Sequence, residues 1–194
     1  LLVSAALTGV GALLIGQLAL RLCGATSFSW LAPVTGLAVL MLVCIPALHL
    51  PGRTKTTAVL AALLLVAGIV HAIRAPEHRP PLKGVLAAAP LALLALVPFL
   101  SNWRAGTLGV SFNNDMASHL VWADGYRSAF IAKVNQLAGD YPLGPHALAA
   151  SLADGLGARV DYTFAGVTLA LPVILGWTAL AVLKAGGLVR SAAL

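Results

Sequence analysis

The sequence predicts an all-α fold, a polytopic bundle of transmembrane helices with an external loop of short amphipathic helices, and three observations lead there. Of 194 residues, 60% are hydrophobic and only 9% charged, against about 25% charged in an average soluble domain. The mean hydropathy of the chain is +0.95. The apolar residues are also gathered into runs long enough to cross a hydrocarbon core of roughly 30 Å as helices rising about 1.5 Å per residue. These features exclude a water-soluble domain. The net charge of +6 does not indicate nucleic acid, because the basic residues are dispersed among short connections and form no stripe along which a phosphate backbone could run. Cys23 and Cys44 lie in or beside apolar runs without CxxC or Cys/His spacing, so neither a disulfide framework nor a zinc site is indicated.

In chain order, Leu1 to Leu20 is the first predicted span, polar only at Ser4, Thr8 and Gln17. Trp30 to Leu50 is the second, with Pro33 and Pro46 inside it and Trp30 read as an anchor at the headgroup level. The PGRTKT connection introduces a third span from Thr57 to Ile73, and the proline-rich RAPEHRPPLK segment leads into a fourth from Gly84 to Leu100. From Ser101 to Arg159 the apolar runs stop, which predicts a long connection outside the hydrocarbon or along its surface. Trp103 and Arg104 read as an interfacial anchor pair there. Val160 to Leu183 restores a fifth span. The expected organisation is therefore residues 1–100 as four spans, 101–159 as the loop, and 160–194 as the fifth span and its connection. The chain opens at Leu1 inside an apolar run and ends just past another, which reads as a fragment.

Topology follows from the short connections. Arg21, Arg74, Arg79, Lys83, Lys184 and Arg190 occupy one side and Arg53 and Lys55 the other, so the positive-inside rule places the six in the cytoplasm and the long loop outside.

That loop holds nearly all the polar chemistry. Five of the six acids, Asp115, Asp124, Asp140, Asp154 and Asp161, fall within it or at its end. Asn113 and Asn114 are good helix N-caps, and the run from Asp115 carries few breakers before Gly139, predicting one helix weakened at Gly125. On it Asp115, His119, Trp122 and Tyr126 recur at i, i+4, i+7 and i+11, so a carboxylate, an imidazole and two polar-tipped aromatics share one face. Met116, Leu120, Ala123 and Phe130 share another. A turn from Asp140 to Gly144 follows, and Pro145 starts a second helix. This places His146 in a first turn, where an imidazole and free backbone N–H groups suit a phosphate. An Asp-x-x-x-His pair with a further His also has metal-ligand spacing.

An acid four residues before a histidine on the first loop helix, followed by Tyr141-Pro142-x-x-x-His146 leading into an apolar helix, resembles the GT-C superfamily of polytopic membrane glycosyltransferases, closest to uncharacterised actinobacterial-type members. The resemblance spans roughly residues 84–185. It implies inverting transfer of a sugar from a polyprenyl-phosphate carrier to an extracytoplasmic acceptor, as in cell-envelope glycan assembly. It further implies that Asp115 is the loop acid, acting as general base or helping to hold a divalent cation, Mg or Mn, as the one cofactor in question. An inverting transfer needs a carboxylate to take the acceptor's proton and cationic or N–H donors for the departing phosphate. His119 joins Asp115 as the candidate catalytic pair. His119, His146 and Arg127 are candidates for the phosphate, Tyr126, Trp122 and Tyr141 for stacking on the sugar ring, and Asp140 for lining the substrate cavity. The expected partners are the lipid-linked donor and membrane lipids, with no nucleic acid. The sequence lacks the adjacent second acid of such loops, having Asn113 and Asn114 before Asp115. The rival class is a transporter or flippase for a lipid-linked or anionic substrate, which would place acids inside the spans; a noncatalytic scaffold is a third.

Overall fold

The computed structural model describes residues 1–101, 115–128 and 131–187, and every regular element within them is a helix. Nine α-helices run α1 (Leu2–Leu22), α2 (Ala32–Ala47), α3 (Thr54–Arg74), α4 (Leu82–Ala87), α5 (Ala89–Ser101), α6 (Asp115–Arg127), α7 (Ile131–Ala138), α8 (Gly144–Leu156) and α9 (Val160–Ala185), with a 3-10 turn at Pro76–His78 among the described residues. The capping asparagines Asn113 and Asn114, the Trp103–Arg104 pair, Phe130 and Arg190 lie outside the described residues.

Three helices, α1, α3 and α9, with 21, 21 and 26 residues, are each long and apolar enough to cross a membrane. The second predicted span is shorter than expected. Only the 16 residues of α2 are helical, about 24 Å at 1.5 Å per residue. The fourth is broken: the stretches Pro76–Ala87 and Ala89–Leu100 reach membrane length only together, across a bend of 53°. Pro90 explains the break, because its nitrogen can donate no hydrogen bond to the Leu86 carbonyl four residues back and its ring crowds that carbonyl. At the end of α4 the Val85 carbonyl accepts both the Ala88 N–H at 3.4 Å and the indole N–H of Trp177 from α9 at 3.0 Å.

Backbone contact between α1 and α2 organises the bundle. Gly16 faces the Ala32 carbonyl and Gly36 the Ala12 carbonyl so closely that a Cβ on either would overlap the opposing backbone. Small residues allow such approach where lipid tails supply no hydrophobic drive between helices. Trp30 is not the interfacial anchor expected. It is 3% exposed, edge-on to Phe28 at 4.8 Å, and lies over Gly84 where no Cβ would fit.

The polar region departs from expectation in two ways. The single helix predicted from Asp115 to Gly139 is two, α6 and α7. Gly125 lets α7 fold back, since a Cβ there would strike Val134, and Ser128 Oγ donates to the Gly125 carbonyl at 3.0 Å. Nor does α8 lie on the surface as part of a separate loop domain. It packs against α2, α3, α6 and α9, with His146, Ala147, Leu148, Ala149, Ala150, Ser151 and Ala153 buried. Four alanines and a serine present so little bulk that this helix enters the bundle core, and it ends on Gly157 in the left-handed conformation, φ 60°.

Candidate functional site

Packing of α8 against α6 converts the i, i+4 pair predicted on α6 into a three-residue chain. Asp115 Oδ1 lies 3.5 Å from His119 Nε2, and His119 Nδ1 lies 2.9 Å from His146 Nε2. Exposure falls steeply along it: the Asp115 side chain is 67% exposed, that of His119 14%, and His146 is 2% exposed as a residue. The carboxylate thus meets solvent while the far imidazole is enclosed. Trp122, Tyr141 and Phe164 wall the two rings, with centroids 5.3, 5.4 and 6.0 Å from that of His119.

Contacts define the protons. A carboxylate only accepts, so His119 Nε2 carries a hydrogen toward Asp115. With His119 neutral, its Nδ1 must accept from His146 Nε2, leaving His146 Nδ1 bare; that atom is buried without a hydrogen-bond partner among the described residues. With His119 protonated, both its nitrogens donate, and His146 turns its proton to Nδ1, toward the Leu143 backbone. One proton gained at His119 would therefore reverse the tautomer of His146, so the two imidazoles are coupled along a chain that runs from a solvated carboxylate to a buried ring.

Burial, and secondly the charge of His119, push the His146 imidazole down to about 4, against a smaller opposing effect of the Leu143 backbone. In the unfolded chain the ordinary value is about 6.5. Between those values the unfolded state binds more protons, so stability present above pH 6.5 is lost as the pH falls toward 4, by roughly 3 kcal/mol in all. Thermal unfolding in detergent should show this acid slope, and His146→Gln should flatten it. An unchanged slope in the variant would contradict the burial of a neutral imidazole.

The remaining predicted residues separate. Trp122 and Tyr141 join the ring cluster, 5.2 Å apart. Tyr126 does not reach the sugar-facing wall assigned to it. It is buried against α7, its hydroxyl donating to Asn135 Oδ1 at 3.1 Å, and burial pushes the phenol up to about 12. His146 is likewise not an exposed phosphate ligand but stands behind His119. Asp140 is exposed in the turn after α7 and forms no ion pair within 4 Å among the described residues.

Arg127 is engaged at 2.7 Å with Asp154 of α8 and at 3.2 Å with Asp124. Asp154 also accepts from Thr54 Oγ1 at the start of α3. Its burial opposes ionisation, but the hydrogen bonds from Thr54 and Arg127 and the charges of Arg127 and Lys55 prevail, holding the carboxyl below its ordinary value. Asp154, one of the five acids of the polar stretch, is the tie between α3, α6 and α8. Asp154→Ala, which leaves Arg127 without this partner, is expected to cost about 1.5–3 kcal/mol, the worth of a hydrogen bond to a charged group, read as the shift in unfolding midpoint. Phe164 was missed, because an aromatic inside a long apolar run gives no sign that it faces a histidine pair.

Beside the chain opens a cleft of about 930 Å³, lined by Trp122, Asp124, Arg127, Lys133, Arg159 and Asp161 among others. Trp122 belongs both to the ring cluster and to the cleft wall, so the histidine chain and the cleft adjoin. Arg159 is 2.7 Å from Asp161, and Lys133 forms no ion pair within 4 Å among the described residues.

A divalent Mg or Mn ion does not fit these residues. Among the described residues no group of three or more His, Cys, Asp or Glu side chains converges to hold a metal. Asp115 is the one oxygen donor on the chain, and the facing nitrogens of His119 and His146 are occupied with each other, whereas such hard cations take mainly oxygen ligands.

Fold and site together define an all-helical protein with membrane-length apolar helices and a carboxylate–imidazole–imidazole chain beside an open, partly cationic cleft. Compared with protein-family models, with curated proteins and with solved structures, the chain matches none.

Proposed function

We propose that the protein is a multi-pass membrane glycosyltransferase of GT-C type. It transfers a sugar from a polyprenyl phosphate to an acceptor on the extracytoplasmic side, where α6 and α7 lie, in the assembly of a cell-envelope glycan. The observation that carries this reading is the Asp115–His119–His146 chain with its acid at the solvent end, adjoining a cleft that holds both an aromatic side chain and cations. Asp115 takes the proton as the acceptor oxygen attacks the anomeric carbon. The bond from that carbon to the phosphate oxygen breaks, and polyprenyl phosphate leaves with the electron pair, opposite the attacking face. Lys133, Arg127 and Arg159 offset the negative charge that develops on it. His119 Nε2–H, braced by His146, orients the carboxylate of Asp115, which releases the proton to solvent from its exposed side. Trp122 and Tyr141 offer apolar ring faces against which a sugar packs. The test is transfer of a radiolabelled sugar from polyprenyl phosphate in membranes carrying the full-length protein. Transfer that depends on Asp115 supports the proposal, and transfer undiminished in Asp115→Asn overturns it.

A further inference from the structure

Away from the histidine chain, α1, α2, α3 and α8 line a half-open cavity of about 410 Å³. Gly11 and Ile15 of α1, Ala58 and Ala62 of α3, and Leu148 and Leu152 of α8 give it a largely apolar wall. Protein interiors pack to the density of organic crystals with few voids larger than a water molecule, and an empty space of this size would deprive its lining of dispersion contacts. Its volume falls within the roughly 300–1,000 Å³ of ligand sites. The outer wall is α3, of whose apolar length only 11% is buried, so the hydrocarbon of a bilayer stands one helix away.

One end is polar and basic. Lys55, in the first turn of α3, lines the cavity and forms no ion pair within 4 Å among the described residues. The Arg53 side chain beside it donates to the Ser128 carbonyl at 2.7 Å. Among the described residues lining the cavity the acid is Asp154, which is paired with Arg127 and accepts from Thr54, so Lys55 gives this end a positive charge. Thr8, also on the cavity wall, is 1% exposed, and its hydroxyl has no hydrogen-bond partner among the described residues. It is a donor without an acceptor.

We propose that this cavity holds one acyl chain of an anionic phospholipid, with its phosphate at Lys55 and its ester carbonyl accepting from Thr8. A glycerophospholipid supplies all three features at once: a hydrocarbon tail, an ester acceptor just below the head group, and a negative head. A polyprenyl phosphate lacks the ester. The site is separate from the proposed transfer chemistry, since Leu148, Ser151 and Leu152 face the cavity while His146 faces α6 from the other side of α8. Asp154 joins the two, lining the cavity and bonding Arg127 of α6, so the bound lipid braces the helix that carries Asp115.

The test uses full-length protein in equimolar phosphatidylcholine and phosphatidylglycerol vesicles containing a trace of phosphatidylglycerol with a photoreactive diazirine at the chain end. Labelled residues are mapped by mass spectrometry. Labels are expected on Ile15, Ala62 and Leu152, in several-fold excess over those from the matching phosphatidylcholine probe. Lys55→Gln should cut that excess roughly fivefold, the worth of one basic residue near an anionic surface, and the near-isosteric Thr8→Val should weaken labelling with both probes. Labelling confined to the outward α3 residues Leu63, Val66 and Ile73, equal labelling by both probes, or displacement by polyprenyl phosphate but not by phosphatidylglycerol overturns the proposal. None of these outcomes depends on sugar transfer.

Discussion

Asp115→Asn is expected to lower sugar transfer by about 10²- to 10⁴-fold, the usual worth of a positioned general base, with expression and unfolding temperature nearly unchanged. The substitution is isosteric and the side chain is 67% exposed, so its effect on stability should stay within about 0.5 kcal/mol. An amide at this position cannot accept the acceptor's proton, and it removes the charge that orients His119. The contact between His119 and His146 survives, because the wall of Trp122, Tyr141 and Phe164 holds it. Loss of transfer together with loss of folded protein would mean instead that Asp115 is a structural residue, which the thermal melt distinguishes.

The largest effect on stability is expected at the crossing of α1 and α2. Gly36→Val would drive a branched side chain into the Ala12 carbonyl and the Gly16 nitrogen, neither of which can yield without separating the helices. Overpacking typically costs 1–3 kcal/mol even where side chains can shift, and with backbone on both sides a loss of at least about 3 kcal/mol is expected. Gly9 in the facing helix α1 supplies the contrast. A Cβ there meets nothing nearer than the Trp177 ring at 3.8 Å, so Gly9→Ala should be neutral or slightly stabilising through helix propensity. Unfolding midpoints in detergent decide the matter, and equal shifts for the two variants would contradict the close backbone crossing.

The long spans were legible because an uninterrupted apolar run needs only its own hydrogen bonds to form a helix. Predicted limits of Leu1–Leu20, Thr57–Ile73 and Val160–Leu183 fall within a few residues of α1, α3 and α9. The bend in the fourth span was not legible because hydropathy averages over Pro90, whose effect is geometric. The embedding of α8 was hidden for the opposite reason: His146, Ser151 and Asp154 interrupt its apolar character, while the alanines that let it pack closely add little hydropathy. At the site, helical spacing identified Asp115 and His119 as neighbours because that contact lies within one helix. The same spacing misplaced Tyr126, since periodicity says which residues share a face but not which partner covers it, and α7 claims that part of the face. The pairing of His119 with His146 depends on tertiary packing across 27 residues and could be raised only as an approach of two elements.

The claim that the carboxylate and the imidazoles behind it act as one unit is tested most directly by a double-mutant cycle on transfer rate with Asp115→Asn and His119→Gln, singly and together. Residues that work as a unit show strongly non-additive losses, so the double variant should transfer no more slowly than the slower single variant. Losses that multiply would contradict the claim.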